Sequence, residues 1–213
     1  MKLNKEQIHF IDTYLKNSGI EFIDIRMEML DHIASAVENK MQKENLDFCH
    51  AYKNYMVIHK KQHLKANKQF IKTTDKKVLI AIGRFFIKHN SLFLFGLSFL
   101  ALKIASTKTD ITKILKFTPI GVLISLALFY FISYRLGKSE RYSGLERIGF
   151  ILLFIMQLLQ FFISPFSQKN LFQNSVNTQI VLVSFIIVLA FTFIQTIIKF
   201  KKEYTTLYKN KLA

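Results

Sequence analysis

Tryptophan is absent from these 213 residues, and cysteine, proline and glycine are scarce at one, two and seven. The single cysteine, Cys49, excludes an intramolecular disulfide framework and any CxxC redox or zinc-ribbon pair, so a reduced, inert thiol is expected. There is no glycine-rich phosphate loop, no GxSxG elbow and no kinase-like motif set, and nothing supports enzymatic activity. Residues 1–19 lack an uninterrupted apolar core, because Lys2, Lys5, Glu6, Asp12 and Lys16 intervene. No signal peptide is therefore expected to be cleaved, and the first spanning helix is expected to act as the insertion signal. Acidic residues nearly run out after residue 77, where four face sixteen Lys and Arg.

What is present is apolar surface. Hydrophobic residues make up 51% of the chain, 22 of them Phe, and mean hydropathy stays positive at +0.24 despite a formal charge of +16. Such a chain is too apolar and too regular to be disordered. Its apolar residues are concentrated in the C-terminal two-thirds, in runs of about 16 to 20, the length that crosses a bilayer. A polytopic membrane protein is expected. The basic excess divides unequally: +4 over residues 1–77 and +12 over residues 78–213, where Lys and Arg flank the apolar runs. Nucleic-acid binding is not needed to explain it, and abundant Lys, Asn, Ile and Phe also fit an AT-rich bacterial genome.

Residues 1–75 read as a small cytoplasmic domain of short amphipathic helices. Asn4 can cap a helix over 5–17 whose third position is Gln7, with Ile8, Ile11, Tyr14 and Leu15 at helical spacing and Gly19 as the stop. A second helix runs from about Glu21–Asp24 to Lys43, carrying Phe22, Ile25, Met29, Ile33, Ala36, Val37 and Met41. Asp47 can cap a third with Phe48, Ala51, Tyr52, Tyr55 and Met56 as its stripe. So small a core is marginal alone and is expected to lean on a partner or on the membrane. Residues 76–90 form a basic interfacial helix, with Lys77, Arg84 and Lys88 on one face and Val78, Leu79, Ile82, Phe85 and Phe86 on the other.

Four spans are expected in a helical bundle over 91–200: 91–106, 117–134, 148–166 and 179–200. The second begins with Thr118-Pro119 as a first turn, and the fourth terminates against Lys199, Lys201 and Lys202, leaving a basic tail at 201–213. The fold class is thus all-α, a four-span bundle behind a small helical domain. Arg135, Lys138, Arg141 and Arg147 after the second span, and the lysines of the tail, place both termini in the cytoplasm of a bacterial inner membrane. Lys108, Lys113 and Lys116 after the first span argue mildly the other way.

The most distinctive string is Asp24-Ile25-Arg26-Met27-Glu28-Met29-Leu30-Asp31-His32-Ile33. Glu28, His32 and Ile33 match an E-x-x-x-H-[IL] pattern, and about the first 45 residues resemble the helical prefix domains, including the HAAS type, that precede membrane segments in bacterial proteins often encoded beside PadR-like regulators. The resemblance implies a cytoplasmic interaction or signalling domain without catalysis, and makes Glu28, Asp31 and His32 candidate partner-docking residues. Read from the residues alone, Glu28 and His32 are one turn apart and equally suit a solvated face or a helix–helix contact.

His59 and His63 have the i, i+4 spacing of a metal pair, but Lys60, Lys61 and Lys65 would repel a cation, and a surface facing anionic lipid heads fits better. Cys49 and His50 diverge by about 100° on a helix and do not form a nucleophile pair. No Asp, Glu or His lies in an expected span, which removes the usual proton relays and protease dyads. Gln157, Gln160 and Gln195, with Ser125, Ser133, Ser164 and Thr196, are expected to make hydrogen bonds between helices; alternatively they line a path for an uncharged or weakly polar solute. Gly121 and Ser125 form a small-xxx-small pair for close packing, within the bundle or between copies of the chain. The expected partners are the bilayer, a protein bound through residues 1–75 and a second copy, with no cofactor and no metal.

Overall fold

The computed structural model describes residues 2–132, 141–163 and 175–208, excepting the side chains of residues 156, 157, 159–163 and 208. These residues form seven helices and no strand: α1 (Lys5–Asn17), α2 (Ile23–Glu44), α3 (Phe48–Ile87), α4 (His89–Lys108), α5 (Thr112–Tyr130), α6 (Ser143–Ile163) and α7 (Val176–Tyr208). They divide into two compact units, one built from the residues up to Lys76 with segment 141–143 and Tyr208, the other from the described residues of Lys77–Lys138 and Gly144–Leu207.

In the first unit local signals decide the helix ends. Asn4 and Gln7 form a reciprocal capping box, Gln7 N–H donating to Asn4 Oδ1 at 2.8 Å and Asn4 N–H to Gln7 Oε1 at 2.9 Å. At the other end Gly19 takes φ +88°, and Ile20 N–H reaches back to the Leu15 carbonyl at 3.1 Å, a Schellman closure that a Cβ at position 19 would strain. The core is built from Ile11 and Leu15 of α1, Ile25, Met29, Ile33, Val37 and Met41 of α2, and Ala51, Tyr52 and Met56 of α3. Ile8, expected on the buried stripe, is exposed, and Phe22 and Ala36 are only half-buried.

α3 departs most from expectation. It runs through the lysine-rich stretch without a break, because residues 48–82 contain no glycine or proline and are rich in helix-forming Lys, Gln and Ala. The expected interfacial segment is thus the C-terminal part of this helix, and the chain breaks at Lys88, which adopts extended backbone before α4.

In the second unit α4, α5 and residues Val176–Leu207 of α7 are long and apolar enough to cross a membrane, with mean hydropathies of 1.4, 1.6 and 2.6 over their most apolar stretches. α4 and α5 are buried inside the protein over only 6% and 11% of those stretches, against 61% for α7. The first two present Leu97, Leu100, Ile124 and Leu128 outward, as lipid-facing helices do, while α7 is central. Ile111 and Leu115 pack on Ile180 and Val183, joining the start of α5 to α7. Lys103 donates to Asn177 Oδ1 at 2.6 Å, so its charge is held at the start of α7.

Two span boundaries shift. α5 begins at Thr112, so Pro119 lies inside the helix and not in its first turn; its missing N–H leaves the i−4 carbonyl of Leu115 without that bond. α7 does not end at Lys199–Lys202 but carries them to Tyr208; 33 residues span about 50 Å, well beyond a bilayer core of about 30 Å. The span expected at 148–166 falls on α6, and residues 164–166, with Ser133, lie outside the described residues.

Within the bundle, close helix packing uses Gly149 rather than Gly121. Gly121 and Ser125 are exposed, and a Cβ at Gly121 would meet nothing within 4 Å. A Cβ at Gly149 of α6 would lie 2.6 Å from the ring of Tyr130 of α5, whose hydroxyl donates to the Leu145 carbonyl at 3.2 Å. Gly149→Leu is therefore expected to destabilise the bundle by about 2 kcal/mol through overpacking, whereas Gly121→Leu stays within about 0.5 kcal/mol. Denaturant unfolding of the two variants in nanodiscs measures the difference.

Candidate functional site

The helical phase that buries Ile25, Met29 and Ile33 turns positions 28, 31 and 32 outward, so Glu28, Asp31 and His32 share an exposed face of α2. The Asp31 carbonyl accepts the Ser35 hydroxyl at 2.8 Å.

Asp24, one turn before Glu28 on α2, is bound. Its carboxylate accepts the backbone N–H of Ser143 at 3.0 Å and the Ser143 hydroxyl, capping the first residue of α6. Beside it Arg141 pairs with Glu21, lies over the ring of Phe22 at 5.2 Å, and accepts Ile23 N–H at its carbonyl at 2.9 Å. Segment 141–143, expected as part of a basic loop, is thereby docked at the N-terminus of α2. Nothing in the spacing of two segments 119 residues apart reveals this.

The second recognition feature is a groove of about 450 Å³ between α1 and α3. Phe10 and Tyr14 line it from α1; Phe48, Tyr52, Met56 and Val57 line it from α3, with Lys53 and Lys60. The rings are edge-on to one another, Phe10 to Tyr52 at 5.4 Å and Tyr14 to Tyr52 at 5.7 Å, while Phe48 stacks on Tyr52 at 5.7 Å. Lys60 Nζ sits 5.7 Å from the Tyr14 ring centre. Tyr52 is 7% exposed, and its hydroxyl is buried with no hydrogen-bond partner among the described residues. Burial, with Tyr14 nearby, pushes that hydroxyl well above the ordinary tyrosine pKa. Val57, in contrast, is 78% exposed. Cys49, expected as an inert small apolar residue, is exposed and lines the groove. The periodicity of α3 marks Tyr52 and Met56, but Phe10 falls outside the α1 stripe, so the groove emerges only when the two helices pack.

His59 and His63 turn to different partners: His59 Nδ1 lies 3.1 Å from Gln62 Oε1, and His63 Nε2 lies 3.1 Å from the Tyr55 hydroxyl. Burial, followed by His59 and His32, lowers the His63 pKa. The unfolded chain therefore binds a proton that the folded one resists, and the stability of the first unit is expected to fall as pH drops below about 6.5. His63→Gln should flatten that dependence between about pH 7.5 and 5.5, read as protection of α3 amides in hydrogen exchange.

At the other expected positions Lys77, Arg84 and Lys88 are all exposed, while Val78, Ala81 and Ile82 are buried; Leu79, expected on the apolar face, is exposed as well. The side chains of Gln157 and Gln160 lie outside the described ones. Thr196, expected to bond between helices, donates instead to the Thr192 carbonyl of its own helix at 2.7 Å, and the buried Ser184 and Thr192 hydroxyls likewise donate within α7 at 2.8 Å. Ser125 does the same in α5, to Val122. Gln195 Oε1 is buried with no partner among the described residues.

Among the described residues the chain is helical, with three helices long and apolar enough to cross a membrane and an aromatic, lysine-edged groove on its N-terminal unit, and comparison with protein-family models, curated proteins and solved structures gives no match.

Proposed function

We propose that this chain is a non-catalytic interaction or regulatory component of a bacterial cytoplasmic membrane. In this reading it spans the bilayer four times, with both termini in the cytoplasm, and residues 1–75 form a docking domain for which the bundle is the anchor. The observation that carries it is the α1/α3 groove: a unit with a complete core of its own still leaves Val57 and Phe10 in solvent beside two lysines. The exposed Glu28, Asp31 and His32 supply a second, acidic face to the same unit, and Lys77, Arg84 and Lys88 suit the cytoplasmic headgroups.

The test places a photo-crosslinking amino acid at Val57 and, separately, at His32 in the full chain in native membranes. A discrete protein or small-molecule adduct at either position, abolished by charge reversal beside it, supports docking. Equal, empty captures from both remove it.

Gln195 keeps a second reading open, a small transporter or channel component for an uncharged solute, because an orphaned buried oxygen in the central helix is the kind of group a permeating solute can satisfy. Solute flux in vesicles that Gln195→Leu abolishes would favour it.

A further inference from the structure

We propose that the α1/α3 groove is a binding site for an aromatic carboxylate: a flat apolar body held among the rings of Phe10, Tyr14 and Tyr52, with its anionic head between Lys53 and Lys60. The assignment rests on the docking-domain reading above and names the chemistry of its occupant.

Three observations converge on it. The groove's volume of about 450 Å³ lies within the range of small-ligand sites. Its lining includes two cations and no acid, so the complementary ligand is an anion. Its walls are four aromatic rings in mutual edge and stacked contact, which receive another ring at low conformational cost. An aliphatic anion leaves the ring edges unused, and a neutral aromatic leaves the lysines without a counter-charge. Lys60 already leans over Tyr14, so a small movement of its chain brings the ammonium to a carboxylate.

The sole cysteine of the chain provides the readout, because Cys49 is exposed and lines the groove. The full-length protein in nanodiscs is alkylated with iodoacetamide, and the rate at Cys49 is followed by mass spectrometry with 2-naphthoate, 2-naphthylmethanol or 2-naphthylmethylammonium present. The expected result is saturable protection by 2-naphthoate, at least about fivefold stronger than by the alcohol and absent with the cation. Each variant is compared with its own unliganded rate. Phe10→Ala should weaken naphthoate protection about tenfold, because it removes one aromatic wall of the groove at a position that is 52% exposed and lies outside the core. Lys53→Gln and Lys60→Gln should each weaken it about threefold.

Equal protection by the alcohol, or none by any probe, overturns the proposal. So does protection that depends only on anionic lipid in the nanodisc, which would assign the groove to the membrane surface. If Cys49 stays unprotected while the crosslinker at Val57 captures a protein, the carboxylate site falls and the docking-domain reading stands.

Discussion

Replacing Asp12 with alanine is expected to cost the N-terminal unit about 3 kcal/mol, the largest effect of any single polar substitution there. Asp12 Oδ1 accepts from Arg26 Nε at 2.5 Å, and the two side chains are only 23% and 9% exposed. The Arg26 guanidinium also donates to the carbonyls of Ile20 and Glu21, at 3.4 and 3.3 Å, and so bridges α1, the turn and α2. Removing the carboxylate leaves a guanidinium that is desolvated but no longer paired. The loss should be read as accelerated hydrogen exchange of α1 and of the first turns of α2. The double variant Asp12→Ala, Arg26→Met should be less damaged than Asp12→Ala alone, because the stranded charge is gone and an apolar chain of similar length fills its place. If the double variant is worse than the single one, Arg26 stabilises mainly through the two carbonyls, and the ion-pair account is wrong.

In the membrane unit, Phe193→Ala is expected to cost roughly 2–3 kcal/mol, whereas Leu100→Ala should fall within about 0.5 kcal/mol. Phe193 is 0% exposed at the centre of α7, and Leu100 is 59% exposed on α4. In lipid the transfer of apolar surface contributes little to helix association, because the surroundings are as apolar as the interior. What Phe193 loses is its packing contacts and what it leaves is a cavity, so the estimate sits below the range for soluble cores. Unfolding free energies of both variants in nanodiscs decide it. Similar losses at the two positions would mean that the outward face of α4 is itself packed against something.

The all-helical class and the ends of α1 and α2 were legible in the chain because they are set by neighbours in sequence. The Asn4–Gln7 box, the Gly19 stop and the three- and four-residue spacing of Ile25, Met29, Ile33 and Val37 act within one or two turns. Apolar length alone places α4, α5 and α7 as membrane-crossing helices. Errors arose where a local signal competed with continuity. A third helix and a separate interfacial helix were expected on either side of residues 75–76, yet nothing between them stops a helix, and Pro119 resembled a start, yet a helix already under way carried it.

Only tertiary structure decided which of the polar and small residues matter. Asp12 and Arg26, fourteen apart in sequence, became a buried pair because the turn at Gly19–Glu21 folds α1 back on α2. Asp24 met Ser143, and Gly149, not Gly121, became the point of close approach, through contacts that no spacing rule reaches. The groove belongs to the same class: Phe10 lies off the buried stripe of its own helix and gains a role only from the rings of α3 beside it. Hydrophobic periodicity reports how a residue relates to its own helix axis, and recognition surfaces are made by the relation of one helix to another.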